Sequence, residues 1–209
     1  VGNTLNNNSD DTFDEFTEDD LKARFVCGRY NYDNLTSDNR IKLFMVGNGS
    51  SDSDKSNAFS VDETGFGHLK RGLLVGNADF AEYFECKKEN IPNLEAGITV
   101  QLDKQGFIEP CDNVNNAIGV VSKTACIVGD SYNEEWHGKY ITDKFGSPTQ
   151  KISPSFDKNR EYVPRELRNE WHIVGLVGKV YILKGQPVKP SWVKLKEINE
   201  KYDRYLIGV

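Results

Sequence analysis

Long hydrophobic runs are missing from this chain. No stretch approaches the roughly 20 apolar residues that a membrane-crossing helix needs, so helical membrane insertion is not expected. Apolar residues are sparse in general, at 37% of 209, with a mean hydropathy of −0.59. That is little for a monomer burying its own core, and association with further copies would supply the missing apolar area. A positive field is missing too. Lys and Arg number 26 against 32 Asp and Glu, a net charge of −6 at pH 7. This excludes a general binder of nucleic acid or of anionic membranes. Cysteine is scarce: Cys27, Cys86, Cys111 and Cys126 form no CxxC pair and read as buried free thiols in a reducing compartment. Three histidines without ligand spacing give no reason to expect a metal, and nothing calls for a cofactor. A P-loop, a GxGxxG motif and helix–strand alternation are all absent, which excludes a doubly wound α/β fold. There is no initiating Met and no signal peptide in view, so a fragment of a longer protein is expected.

Glycine is plentiful, with 18 residues, and Asn/Asp clusters run throughout. Both are the residues of tight turns between short strands. The first dozen residues, VGNTLNNNSDDT, are too polar to bury and read as a lead-in. A short helix is predicted from Thr17 to Arg24, with Thr17 as its cap and acids in its first turn. Strand-like pieces follow: ARFVCGRYN, IKLFMVGNGS, NAFSVDETGFGHL and KRGLLVGN. None holds a globular core alone, so a stalk of identical chains wound about one axis is expected. From Asp79 the texture changes. AGITVQLD, GFIEPC, AIGVVS, TACIVGD, WHIVGLVGKVYIL, WVKLKEI and RYLIGV show alternating or continuous apolar runs. LDKQGF and the C-terminal VKLKEINEKYDRYLIGV read as hairpins. A polar, aromatic-rich connection spans Ser131 to Arg168, and connections this long are usually functional or interfacial. The expected fold is mainly β with few short helices. Its divisions are a lead-in over 1–26, a trimeric intertwined β stalk over 27–78 and a compact β-rich domain over 79–209.

Several blocks in fixed order then carry a resemblance. ADFAEYFE (Ala78 to Glu85) resembles the ADYAEYFEW signature of the autoproteolytic intramolecular-chaperone domain of phage tail and pre-neck appendage proteins, the glutamic-type peptidase family G two. AIGVVS from Ala117 resembles that family's ILGVVS, and IVGDSYNEEWHGKYITDKFG from Ile127 resembles its GDSxxxEWxGKYxxDxFG block. REYVPRELRNEW from Arg160 and VGLVGKVYI from Val174 are similar to its EYIPRxxRPEW and VGLVGKLxV segments. Upstream, CGRYN and LFMVGNGSSDSDKSNAF resemble the repeat preceding the domain. The resemblance covers about residues 27 to 209. It implies a domain that assists homotrimer assembly of a fibre or spike and then cuts itself off, between Ala78 and Asp79 in this sequence. The implied partners are two further copies, the appendage upstream of Val1 and, through the mature fibre, a host receptor; nucleic acid and membrane insertion are not among them. The implied location is the virion, after assembly in the host cytoplasm.

Peptide hydrolysis needs an activated water and a protonated leaving amine, which suits carboxylates. Glu82 is the candidate base, and Asp79 is the candidate that marks the site and orients or protonates the amine. In an extended strand Glu82 lies roughly 10 Å along, at about 3.3 Å per residue, and on the face opposite Asp79. Either a turn brings the two together, or Glu82 acts on a neighbouring chain. Burial beside Phe80, Tyr83 and Phe84 would raise the pKa of Glu82. The demand is modest: one cut with a half-life of hours needs a barrier of about 23 kcal/mol. Ala78 stands where related domains often carry Ser. If that hydroxyl is required, this chain is inactive as a single-turnover peptidase; a water mechanism does not need it.

Blander readings stand beside these. DFAEYFE also reads as an amphipathic edge strand, Phe80 and Phe84 inward and acids outward. Trp136, His137 and Tyr140 fit packing under a long loop, and His137 and His172 fit structural roles. Arg160, Arg165 and Arg168 fit intersubunit salt bridges or an anion site. VGNGSSDSDKSN lacks a following GK[ST] and reads as turn chemistry. Two further function classes compete: an uncleaved structural trimerisation and receptor-binding tip, and a polysaccharide hydrolase with paired carboxylates, for which no motif selects a pair.

Overall fold

A computed structural model of the chain describes residues 24–32, 40–132 and 136–208. The helix expected from Thr17 and most of the lead-in lie outside the described residues. The chain divides into two compact units, Val1–Leu74 and Val75–Val209. Strands dominate both, as the turn-rich, alternating sequence predicts.

The first unit is a four-stranded sheet in the order β1 (Phe25–Arg29), β2 (Lys42–Asn48), β3 (Asn57–Asp62) and β4 (Gly67–Leu69). β1 begins two residues ahead of the stalk boundary expected at residue 27. It runs parallel to β2, pairing Phe25 with Phe44 and Gly28 with Gly47. Those glycines are required, because a Cβ on Gly28 would drive into the backbone of Gly47 and the φ of Gly28 is +88°. Among the described residues of this sheet, Met45 is the one fully buried large apolar side chain. Phe25, Leu43, Phe66 and Leu69 stay exposed.

The buried counterpart of Met45 is polar. Asp62 is 1% exposed; its Oδ1 accepts from the Thr64 hydroxyl (2.6 Å) and from the amides of Thr64 and Phe66. Oδ2 meets His68 Nε2 at 3.0 Å and Arg40 at 3.2 Å. Burial pushes this carboxyl's pKa up. The hydrogen bonds from Thr64, His68 and the Phe66 amide outweigh it and hold the group well below the usual carboxylate range.

KRGLLVGN is not a strand. Residues 70–77 are exposed, Leu74 completely so, and Gly72 sits at φ +105°. Alternation supplied the expectation, but a strand exists only where a neighbour accepts its ladder.

The second unit holds β5 (Asp79–Glu85), β6 (Thr99–Leu102), β7 (Ile108–Pro110), β8 (Gly119–Val121), β9 (Ala125–Gly129), β10 (Tyr140–Thr142), β11 (Pro148–Ile152), β12 (Trp171–Leu183), β13 (Val193–Glu197) and β14 (Tyr202–Ile207). Eight of these form one sheet, ordered β13-β14-β12-β8-β6-β7, with β5 paired to β12 and β9. Both faces of the sheet are covered. Val120 joins one core with Val180, Ile182, Trp192 and Ile207, while the next residue, Val121, joins another with Val100, Ile108 and Val174. Adjacent strand residues point to opposite faces, and each such buried aliphatic contributes about 1.5–3 kcal/mol.

The hairpins at LDKQGF and at the C-terminus form as expected, as β6–β7 and β13–β14. The long connection after Ser131 folds its own hairpin, β10–β11. One turn chemistry recurs three times among the described residues. Asp62, Asp103 and Asp143 each accept through Oδ1 from the amides two and four residues on. In each case a glycine at positive φ follows at the third position: Gly65, Gly106 and Gly146. An Asp-x-x-Gly run is therefore the hairpin signal of this protein.

Candidate functional site

The stretch Ala78 to Glu85 is positioned by β12 and β9. β5 lies antiparallel to β12, pairing Tyr83 with Ile173 and Asp79 with Gly178, and parallel to β9, pairing Glu82 with Gly129. It is thus flanked on both sides and is not an edge strand. Its inward face carries Asp79 and Ala81, each 0% exposed, and Tyr83; Phe80 is 40% exposed. The expectation of Phe80 inward and the acids outward is therefore reversed at Asp79. Phe84 does pack against the core that holds Val174.

Around Asp79 the contacts are few and specific. Oδ1 accepts from the Thr124 hydroxyl at 3.2 Å, and the main-chain carbonyl accepts from the Cys126 thiol at 3.2 Å. Oδ2 is buried and has no hydrogen-bond partner. Gly175 backs it so closely that a Cβ there would stand 2.9 Å from Oδ2. On the other side of the Ala78–Asp79 bond, the Ala78 carbonyl accepts from the Lys179 amide at 3.2 Å. Gly178, at φ +109°, permits that approach, since any Cβ would collide with the Ala78 oxygen. A register shift between Gly175 and Val177 bulges β12 opposite Phe80 and Ala81, just beyond this bond.

Glu82 is half-buried on the other face of β5. The strand is extended throughout, so no turn joins Glu82 to Asp79 within the chain. Glu82 instead lines a surface cavity of about 350 Å³ with Tyr83, Glu85, Gln105, Phe107 and Trp171. Gly129 across the ladder makes room for it, as a Cβ there would lie 3.1 Å from Glu82 Cγ.

Arginines and aromatics form a second cluster. Arg165 is buried, pairs with Asp130 through both its carbonyl and its carboxylate, and lies over Trp171 (3.6 Å) and Tyr132 (4.8 Å). Arg160 covers Trp136 at 3.5 Å, and Arg168 bonds Glu170 at 2.9 Å. Arg165 and Arg168 thus each meet an acid of their own chain. His137 stands edge-on to Tyr132, and burial pushes the His172 pKa down. Of the four free cysteines, Cys86 and Cys111 are buried, while Cys27 and Cys126 are partly exposed. Among the described residues no group of three His, Cys, Asp or Glu is placed to hold a metal ion, and no helix is long and apolar enough to cross a membrane.

The resemblance pointed to the Ala78–Asp79 bond and to Glu82 beside it; nothing in the sequence pointed to Thr124, Cys126, Gly175 or Gly178. Thr124 and Cys126 lie 45 and 47 positions from Asp79, so only pairing of β5 with β9 brings them there.

A β-rich domain with a buried aspartate opening its first strand is what these observations define. Residues 55–152 and 148–200 match the family described as Peptidase_G2, IMC autoproteolytic cleavage domain, and the chain belongs to it. The pre-neck appendage protein of Bacillus phage phi29 is 35% identical over 126 residues, 54% of this chain and 14% of that protein. The putative phage-related protein YobO of Bacillus subtilis strain 168 is 28% identical over 120 residues, 49% of this chain and 14% of that protein. The chain thus matches about a seventh of the length of these relatives. The crystal structure of the pre-mature bacteriophage phi29 gene product 12 shares the fold, with a TM-score of 0.60 over 73% of this chain and 24% of that one, at 24% identity.

Proposed function

We propose that this chain is the C-terminal intramolecular chaperone of a phage appendage protein, which drives homotrimer assembly and then cuts itself between Ala78 and Asp79. The divisions are a lead-in over 1–26, a stalk segment over 27–78 and the chaperone over 79–209. One observation carries the position of the cut: residues 71–78 are all exposed, whereas Asp79 is fully buried. Hydrolysis there releases an exposed run on one side and leaves β5 whole on the other.

Trimerisation is supported by the first sheet. Among the described residues it buries one large apolar side chain while Phe25, Leu43, Phe66 and Leu69 face solvent, and burying them between copies would supply a missing core. Glu82 is the proposed base. Because it faces away from Asp79 on an extended strand, it serves a neighbouring copy's bond, which makes the cut conditional on assembly. Asp79 protonates the departing amine. The proposed setting is the virion appendage, assembled in the host cytoplasm, with the remainder of the appendage upstream and a host receptor as the mature fibre's partner.

Intact mass after expression tests the reading. Fragments Val1–Ala78 and Asp79–Val209 are expected, and a single uncut trimeric species would instead support a structural tip.

A further inference from the structure

Among the described residues the Asp79 carboxyl is held by one side chain, and that side chain is itself held. The Thr124 amide donates to Ser122 Oγ at 3.0 Å, and the two hydroxyls lie 3.4 Å apart. Thr124 then reaches Asp79 Oδ1 at 3.2 Å. Among the described residues no other side chain donates to this carboxylate, and its second oxygen faces Gly175 without a partner. With the Thr124 hydroxyl on Oδ1, Oδ2 is the oxygen of this carboxyl that no protein group holds among the described residues.

We infer that Thr124 is a positioning residue for the cut: by taking Oδ1 it fixes the Asp79 carboxyl so that Oδ2 is the oxygen that hands a proton to the leaving amine. This rests on the self-cleavage reading above. The step balances. Water loses a proton to the carboxylate of a neighbouring copy's Glu82, and its oxygen bonds to the Ala78 carbonyl carbon, whose oxygen is held by the Lys179 amide. The carbon–nitrogen bond then breaks, its electron pair going to the Asp79 nitrogen, which takes the proton from Oδ2 of the same residue. The products are a carboxylic acid at Ala78 and an amine at Asp79, and the proton on Glu82 returns to the Asp79 carboxylate through solvent.

The test compares Thr124→Val, which keeps the shape and removes the hydroxyl, with Thr124→Ser, which keeps the hydroxyl. Cleavage of the full chain is followed by intact mass against time from about pH 5 to 9. Thr124→Val is expected to cut at least about tenfold more slowly, while Thr124→Ser stays within about threefold of the parent. Circular dichroism and sedimentation check folding and assembly, and Thr124→Ala replaces the valine variant if that one does not assemble. Equal rates and profiles for parent and hydroxyl-free variant overturn the role of Thr124 and leave self-cleavage standing. A parent chain that never cuts overturns both.

Discussion

Asp79 and Glu82 belong to one extended strand and occupy opposite faces of one sheet, the first fully buried and the second beside an open cavity. Two carboxylates so placed cannot serve the same bond from within one chain. Either Glu82 does no chemistry, or it does it for a neighbour.

Mixed assembly separates these outcomes. Glu82→Gln chains alone should cut at least about 100-fold more slowly. Co-folded with Asp79→Asn chains, whose Glu82 is intact, the Glu82→Gln chains should be cut again. Mass spectrometry of differently tagged chains reads the result, and absence of rescue removes catalysis between copies.

Replacing Ala78 by Ser tests the water mechanism. With water as nucleophile, the hydroxyl adds nothing, and the rate should change by less than about threefold, as read by intact mass over time. A chain that cuts only after Ala78→Ser would show that the hydroxyl is obligatory.

Gly178→Ala should damage this end of β5. The new Cβ meets the Ala78 carbonyl, and the backbone sits at a φ of +109°, where an L side chain is strained. A loss of about 1–3 kcal/mol is expected, measurable by denaturant unfolding in an Asp79→Asn background that keeps the chain intact. Gly106→Ala, where nothing stands within 4 Å, tests φ strain alone and should cost less.

Asp62 predicts an acid-sensitive first sheet. Its pKa is lower in the folded chain than the unfolded value of about 3.9, so the folded state binds the proton less readily than the unfolded one. The stabilisation is fully present above pH 4 and is lost as pH falls below it. Asp62→Asn should cost about 2–4 kcal/mol near neutrality and flatten the acid limb of a stability–pH curve. An unchanged limb would place the acid sensitivity elsewhere.

Local chemistry in the residues was enough for the β class, the hairpin at Asp103 and the strands from Asp79 onward. A period of two and an Asp-x-x-Gly turn each act within a few residues. The same local signal misread KRGLLVGN, whose alternation meets no neighbouring ladder. It also misread DFAEYFE, where apolar character pointed Phe80 inward although the sheet buries Asp79.

What the sequence determined by itself is most of the strands and the hairpin turns between them, while Ala78, Asp79 and Glu82 became the residues to watch through the resemblance to the family. The tertiary structure alone decided which face of β5 is buried, because that depends on β12 lying against one edge and β9 against the other. It also decided that Thr124, Cys126 and Lys179 hold the two sides of one peptide bond. Contacts across 45 residues or more carry no local pattern, since each partner's neighbours in sequence are shaped by its own strand.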